Sequence, residues 1–144
     1  MMKTSNGDFD EMVSDTKIPL RLACVKPNGV PAIVSLWYLN LNGKLYCATQ
    51  KSAKIVLYLE QNPVCGFEIA GDKPPYKGTR GDGGVRILEN KGRDILNLLI
   101  EKYLGGKESV LSKFLKKNSD SEVAIEITPT RLYHYDYSKR MEDI

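Results

Sequence analysis

Hydroxyl groups and positive charges are concentrated in one short segment of this chain. The segment reads Ala48-Thr49-Gln50-Lys51-Ser52-Ala53-Lys54. It lies between an apolar run with the pattern of a strand and a run with the pattern of a helix, so it is predicted to be a turn that opens a helix. Backbone N–H groups and the positive end of the helix dipole face an anion at such a turn.

The side chains of this turn suit a phosphate group. Thr49 and Ser52 can donate hydroxyl hydrogen bonds, and Lys51 and Lys54 add positive charge. A plainer interpretation is also open, in which Ser52 caps an ordinary helix and the lysines are surface residues. The order of the elements around the turn shifts the balance toward the phosphate site.

Three strands are predicted ahead of the turn, over Leu20 to Val25, Val30 to Leu39 and Lys44 to Ala48. Asn28-Gly29 and Asn42-Gly43 separate them, and such pairs tolerate the positive φ of a two-residue hairpin. Consecutive strands joined by short turns predict an antiparallel meander.

Both helices and strands are predicted after the turn. First come a helix over Ala53 to Gln61, which we expect to be buried around most of its circumference, a strand over Val64 to Ala70, and a loop followed by a glycine-rich strand that ends at Leu88. Two helices follow, over Asp94 to Leu104 and Ser109 to Lys117, and both have apolar stripes typical of a core. The last elements are strands over Val123 to Ile127 and Arg131 to Tyr135, which Pro129 separates. This order predicts an α+β, mainly β fold: a small closed antiparallel barrel with peripheral helices.

The length and composition are those of one globular domain. The chain has 144 residues, of which 42% are hydrophobic and 27% charged, as in ordinary soluble proteins. We expect a lead-in over residues 1–17 that is mobile or forms a short helix, a domain over 18–137, and a tail over 138–144.

Charge and cysteine usage argue against several classes of protein. The net charge of +3 is too balanced for a nucleic-acid protein, and no apolar segment reaches the length of a membrane span. The odd set of cysteines, Cys24, Cys47 and Cys65, all in predicted strands, indicates buried thiols in a reducing cytoplasm. His134 is the single histidine, and it cannot build a zinc site without further ligands.

From Ile18 to Tyr137 the chain resembles the pyridoxamine 5′-phosphate oxidase-like superfamily, the FMN-binding split β-barrel proteins. The resemblance rests on the order and spacing of several strings: Pro31 to Tyr38, Asn42-Gly43, Tyr46 to Thr49, the Ser52-x-Lys54 helix start, Leu59 to Val64, Gly83-x-Val85-Arg86-Ile87-Leu88, and Ile127-x-Pro129-x-Arg131-x-Tyr133.

The resemblance implies an antiparallel split β-barrel that forms a homodimer, with FMN in clefts between the subunits. The second strand would line the isoalloxazine ring, partly through its backbone, with Ile33, Val34, Ser35, Leu36 and Trp37. Thr49, Ser52 and Lys54 would hold the phosphate, beside Ala48, Gln50 and Lys51. The opposite subunit would contribute the strand that contains Lys77, Gly78, Thr79 and Arg80.

Departures from the superfamily pattern limit the function that the resemblance implies. Pyridoxamine-phosphate oxidases have an arginine where this chain has Ala32, a basic residue where it has Ala53, and a glutamine near Gly78, so we do not assign pyridoxine-phosphate oxidation. We expect an FMN-dependent oxidoreductase that passes a hydride or electrons between a nicotinamide donor and a small organic substrate. The alternatives are a deazaflavin-dependent reductase, a non-enzymatic flavin or haem binder with His134 as the candidate haem ligand, and a structural barrel without a cofactor.

Overall fold

A computed structural model describes residues 17–105 and 108–141 of the chain. The predicted lead-in therefore lies outside the described residues except for Lys17, and so does the tail beyond Met141. The strands are β1 (Leu20–Val25), β2 (Pro31–Leu36), β3 (Leu39–Leu41), β4 (Lys44–Gln50), β5 (Val64–Ala70), β6 (Lys77–Leu88) and β7 (Glu122–Asp136). The helices are α1 (Lys54–Gln61), α2 (Gly92–Leu104) and α3 (Val110–Lys117), with 3-10 turns at Glu89–Lys91 and Ser119–Ser121.

The seven strands form one curled antiparallel sheet with the order β2-β1-β5-β6-β7-β4-β3. Strands β2 and β3 lie at its two ends, yet only two residues, Trp37 and Tyr38, join them along the chain. The sheet must therefore curl until its ends approach each other, which produces a split barrel with helices at its periphery. The predicted fold class is confirmed.

The predicted second strand, Val30 to Leu39, was wrong as a single element. Strand β2 pairs with β1, whereas β3 pairs with β4 at the other end of the sheet, so the first strands do not form a meander. At the corner between β2 and β3, Tyr38 is fully buried, its N–H donates to the Tyr103 hydroxyl at 3.3 Å, and its carbonyl accepts from Lys102 Nζ at 2.8 Å. Side chains of α2 thus supply hydrogen bonds where the chain turns from one end of the sheet to the other.

The two-residue turn was predicted correctly at Asn42-Gly43 but was wrong at Asn28-Gly29, where the Gly29 N–H donates to the Lys26 carbonyl at 2.8 Å and Gly29, but not Asn28, has a positive φ. Asn42 and Gly43 have φ values of 55° and 82°, as a two-residue turn with the twist of a hairpin requires. The predicted glycine-rich strand is also present, since β6 runs without interruption from Lys77 to Leu88.

The predicted break at Pro129 was wrong, because β7 continues through it. The register between β6 and β7 shifts at this point: Gly83 pairs with Pro129 and Asp82 with Arg131, so Thr130 is the extra residue of a bulge. Proline lacks the N–H that an undisturbed ladder needs, and a bulge accommodates it without ending the strand.

Apolar side chains form two layers of core. The barrel interior contains Leu22, Leu45, Ile125 and the three cysteines, which are buried free thiols as predicted. A second cluster forms where Ile95 and Leu99 of α2, with Trp37 and Tyr46 partly buried against them, pack over Ala124 of β7. Helix α1 buries Ile55, Val56 and Leu59, but Leu57 is 53% exposed, so α1 is buried on one face and not around its whole circumference.

No helix in the described part of the chain is long and apolar enough to cross a membrane.

Candidate functional site

A groove of about 580 Å³ lies between the barrel and the helices α2 and α3. One side, here called the strand wall, consists of Ser35, Leu36, Trp37, Ala48, Thr49 and Gln50. The opposite side, here called the helix wall, consists of Leu96, Leu99, Leu111, Phe114 and Leu115. Asn118 and Glu122 complete the lining, and together with Gln50 they form what we call the polar end. All six residues of the strand wall belong to the predicted cofactor set, and closure of the barrel brings them together from β2, its corner and β4.

The polar end is held by the side-chain amide of Gln50. Its Nε2 donates to Oε2 of Glu122 and, at 3.1 Å, to the backbone carbonyl of Asn118. Glu122 is only 8% exposed, and burial raises the pKa of its carboxyl while the hydrogen bond from Gln50 opposes the rise. The site thus contains one well-buried carboxylate.

Trp37 closes the groove at the corner between β2 and β3. Its ring stacks on Tyr103 with centroids 4.8 Å apart and planes 6° from parallel. Next to this stack, Lys102 Nζ lies 3.9 Å from the ring centroid of Tyr38, and burial lowers the pKa of Lys102 to about 8. The orientation of Trp37 is therefore fixed by α2 before any ligand binds.

The predicted phosphate turn directly continues the strand wall, since β4 ends at Gln50 and α1 begins at Lys54. The Ala53 N–H donates to the Gln50 carbonyl at 3.0 Å, and the Lys51 N–H donates to the Ser121 carbonyl at 2.8 Å. These bonds fold the turn tightly against the start of β7.

The N-terminus of α1 has no side-chain cap, because Ala53 occupies the capping position. The interpretation of Ser52 as a conventional helix cap is therefore wrong. The first turn of α1 also contains no acidic residue. Lys51 forms an exposed ion pair with Glu89 at 3.1 Å, and no ion pair of Lys54 occurs within the described residues. A helix N-terminus without a cap beside an uncompensated lysine is suited to bind an anion.

The other predicted site residues lie outside this groove. Ile33 is 71% exposed and lines a second groove, of about 530 Å³, on the outer face of β2, β1, β5, β6 and β7, together with Arg80. Val34 packs against the barrel core, and Thr79 is completely buried. Lys77 and Gly78 line a separate cleft near Ile18. The segment from Lys77 to Arg80 therefore does not reach the first groove within one chain, and its predicted contribution from an opposite subunit stays a prediction.

Sequence reasoning missed the helix wall and two residues of the polar end, Asn118 and Glu122, whereas Gln50 was in the predicted cofactor set. The apolar stripe of α3 was expected to be core, but Val110 is 88%, Leu111 46% and Phe114 61% exposed, so that expectation was wrong. Spacing at i,i+4 identifies an apolar helix face without showing whether the face covers a core or a groove. Glu122 and Asn118 gave no signal because their place beside Gln50 depends on the pairing of β4 with β7.

The described residues contain no group of three or more potential metal ligands. His134, the candidate haem ligand, is in β7 and does not line the groove. Its Nδ1 is buried without a hydrogen-bond partner. The alternative of a haem site therefore finds no axial ligand in this groove.

No protein-family model and no curated protein matches the sequence. Solved structures do match the fold. A conserved hypothetical protein from Mycobacterium tuberculosis superposes with a TM-score of 0.79 at 20% identity, covering 95% of this chain and 88% of that one. An F420 reductase gives 0.73 at 17% identity, over 87% of this chain and 95% of that one. A putative pyridoxamine 5′-phosphate oxidase from Listeria innocua gives 0.69 at 17% identity, over 90% and 96%.

Proposed function

We propose that this chain, which has the split β-barrel fold of pyridoxamine 5′-phosphate oxidase-like proteins, binds FMN and acts as an oxidoreductase on a small organic substrate. The observation that carries the proposal is the uncapped start of α1, with Lys54 beside it, at the end of the strand wall. The candidate anion site thus begins where the strand wall ends at Gln50, and although Lys51, Ser52 and Lys54 do not themselves line the groove, a phosphorylated ring cofactor could extend from one to the other.

Different residues would hold the phosphate and the ring system of the cofactor. Thr49, Ser52, Lys54 and the first N–H groups of α1 would hold the phosphate, and the charge of Lys51 is partly balanced by Glu89. The strand wall, with Trp37 at the corner, would hold the ring system. The volume of about 580 Å³ lies within the usual range for small-molecule sites. When bound, the flavin supplies hydride or electron transfer, and the protein supplies position and exclusion of water.

The electron donor that we propose is a nicotinamide nucleotide. A deazaflavin is the second candidate cofactor, since one structure with this fold is an F420 reductase. Both cofactors would use the same uncapped helix start. Extraction of the ligand from the purified protein and its identification by mass spectrometry distinguish them.

We also propose a homodimer that forms through the outer face lined by Ile33. Ile33 lies beside Ala23, and Ala23 lies beside Gly66, so the exposed Ile33 stands at the end of a row of small side chains. The next row contains Arg21, Glu68 and Arg80 in register, which offers charges of both signs to a second copy. A partner seated here would cover Arg80, the one residue of the Lys77–Arg80 segment that lines this face.

Lys54→Ala tests the phosphate site. A charge-assisted hydrogen bond contributes about 1.5–3 kcal/mol, so FMN affinity should fall roughly ten- to a hundredfold. Riboflavin lacks the phosphate, and its affinity should change much less. Isothermal titration of both ligands into both proteins gives the comparison.

Lys139→Ala is the matched control, because it removes the same charge from an exposed residue beyond the end of β7 that is remote from the turn. Its FMN affinity should equal that of the wild type. Equal losses for FMN and riboflavin in Lys54→Ala would contradict a phosphate role, and absence of FMN binding to the wild type would contradict the proposal as a whole.

A further inference from the structure

The charges of the groove are all of one sign. Among the described residues that line it there is no lysine, arginine or histidine, and Glu122 is its one ionisable carboxylate. Glu122 is also nine-tenths buried, so little water screens its charge. An anionic ligand at the polar end would meet this carboxylate without a compensating cation.

Hydrogen-bond donors at the polar end are mostly occupied within the protein. Both N–H groups of the Gln50 amide are taken, by Glu122 and by the Asn118 carbonyl. The Asn118 amide donates to the Phe114 carbonyl at 3.3 Å. The remaining oxygens, on Glu122 Oε1, Gln50 Oε1 and Asn118 Oδ1, are acceptors. The polar end therefore matches a ligand that donates hydrogen bonds.

The helix wall supplies a large apolar surface opposite the strand wall. Phe114 and Leu111 are half exposed at its edge, and a ligand that covered them would remove apolar area from water. Aromatic rings stack and pack well against Phe and Leu. The helix wall therefore suits a planar apolar ring system, and the polar end suits a hydrogen-bond donor group attached to that ring system.

We propose that the groove selects an aromatic substrate that bears a positively charged amine, and that Glu122 is the residue that determines this specificity. The assignment of the ligand as substrate rests on the proposed flavin function. Anionic aromatics, including phosphorylated and carboxylated ones, are disfavoured at the polar end. A neutral aromatic alcohol can donate a hydrogen bond at the polar end but lacks the positive charge that faces Glu122, and it therefore binds more weakly than the amine.

Three naphthalene ligands of matched size test this selectivity: 1-naphthylmethylamine, which is cationic at pH 7, 1-naphthylmethanol, which is neutral, and 1-naphthoate, which is anionic. Equilibrium dialysis measures their binding to the full chain with and without FMN. A charge-assisted hydrogen bond predicts that the amine binds about tenfold or more tightly than the alcohol. The carboxylate should bind most weakly of the three.

Glu122→Gln keeps the size and the acceptor oxygen of the side chain but removes its charge. The ratio of amine to alcohol affinity should fall to within about twofold, since the variant loses only the charge-assisted part of the interaction. Glu126→Gln is the matched control: Glu126 is a buried carboxylate on the same strand, and it lines a different cleft with Arg86. The ratio of amine to alcohol affinity in Glu126→Gln should equal that of the wild type.

Several results would overturn the proposal. They are a carboxylate that binds as tightly as the amine, an unchanged ratio in Glu122→Gln, and absence of binding by all three ligands. If Glu122→Gln does not fold, as judged by circular dichroism, the wild-type ligand series decides alone.

Failure of the flavin function would look different. Amine-selective binding to a protein that does not bind FMN would overturn the proposed function and leave the ligand class of the groove standing. Displacement of the amine by FMN would overturn its assignment as substrate. Simultaneous binding of FMN and the amine supports both the proposed flavin function and the proposed substrate specificity.

Discussion

Gln50 is the residue at which the two parts of the candidate site meet. Its carbonyl accepts the Ala53 N–H and so shapes the turn before α1, while its amide holds Glu122 and Asn118 at the polar end. One residue at the end of β4 therefore couples the geometry of the anion site to that of the groove. A cofactor phosphate and a substrate amine would lie on either side of it.

Trp37 offers a direct optical probe of the groove, because it is the only tryptophan of the chain and lies on the strand wall. Saturation with FMN should strongly quench its fluorescence, since a flavin in the groove would lie within a few ångströms of the indole. A fluorescence titration against FMN measures the effect, with N-acetyltryptophanamide as the control for light absorption by the ligand. Unchanged emission at saturation would place the flavin elsewhere.

The buried thiols give the protein a defined dependence of stability on pH. Cys47 is fully buried, and burial raises the pKa of its thiol well above its ordinary value of 9.0. Above pH 9 the unfolded thiol loses its proton and the folded one does not, so the unfolded state binds fewer protons. The free energy of unfolding should then fall by about 1.4 kcal/mol per pH unit for this thiol alone, and the thiol has no such effect below pH 9.

Urea unfolding of the reduced protein at pH 8, 9 and 10 checks this slope. Above pH 9 the free energy of unfolding of Cys47→Ala should fall less steeply than that of the wild type, by about 1.4 kcal/mol per pH unit, which corresponds to one proton. Cys65 continues to contribute in the variant, because burial raises its pKa to about 12. Lys102, with its lowered pKa, acts in the opposite direction but is present in both proteins. Equal slopes for wild type and variant would show that Cys47 is accessible to water in the folded state.

Among the elements, helix α2 fixes the site because it contacts both the corner after β2 and the start of β7. Lys102 and Tyr103 bond the backbone of Tyr38, and Tyr103 stacks on Trp37. At the other end of α2, Gly92 lies directly against the backbone carbonyl of Glu122. The distance between Trp37 and Glu122 across the groove is therefore set by one helix.

Gly92→Ala tests this close approach. A Cβ at Gly92 would overlap the carbonyl oxygen and carbon of Glu122, so α2 or β7 would have to move. We expect a loss of about 2 kcal/mol or more in the free energy of unfolding, measured by urea denaturation, and weaker FMN binding. Gly84→Ala is the control, because its Cβ meets no atom within 4 Å and should leave both quantities nearly unchanged.

Local chemistry explains which elements the sequence could predict. Asn42-Gly43, Asn28-Gly29 and Gly105 mark turns and a helix end through backbone conformations that these residues favour, and the structure has all three. The corner at Trp37 and Tyr38 was missed because its hydrogen bonds come from Lys102 and Tyr103, more than sixty residues away. No window along the sequence contains both partners.

The candidate site also contains one part that the sequence could predict and one part that it could not. The strand wall and the phosphate turn form contiguous strings, and a resemblance between strings identified them. Glu122, Asn118 and Phe114 belong to the groove only through the pairing of β4 with β7 and the packing of α2 and α3. A buried carboxylate that tertiary structure places beside a strand end leaves no pattern in the sequence around it.

At the scale of the whole molecule, one chain leaves part of its predicted cofactor set unused. Ile33 and Arg80 lie on the outer face of the barrel, while the groove with Trp37 and Thr49 faces α2 and α3. The homodimer that we propose would bury the outer face and so give both sets a role. The apolar Ile33, in one row with Ala23 and Gly66, is the residue on which the proposed contact would most depend.

Ile33→Glu tests the homodimer. A glutamate at this position in each subunit would replace the exposed apolar side chain with a charge that dimerisation must remove from water, so the dimer should dissociate at micromolar concentration while each chain stays folded. Analytical ultracentrifugation measures the mass, and Leu57→Glu, at an equally apolar exposed position on α1, is the matched control that should remain dimeric. If FMN affinity falls together with the dimer, the second subunit contributes to the cofactor site. A monomeric wild type that still binds FMN would show instead that one chain is sufficient.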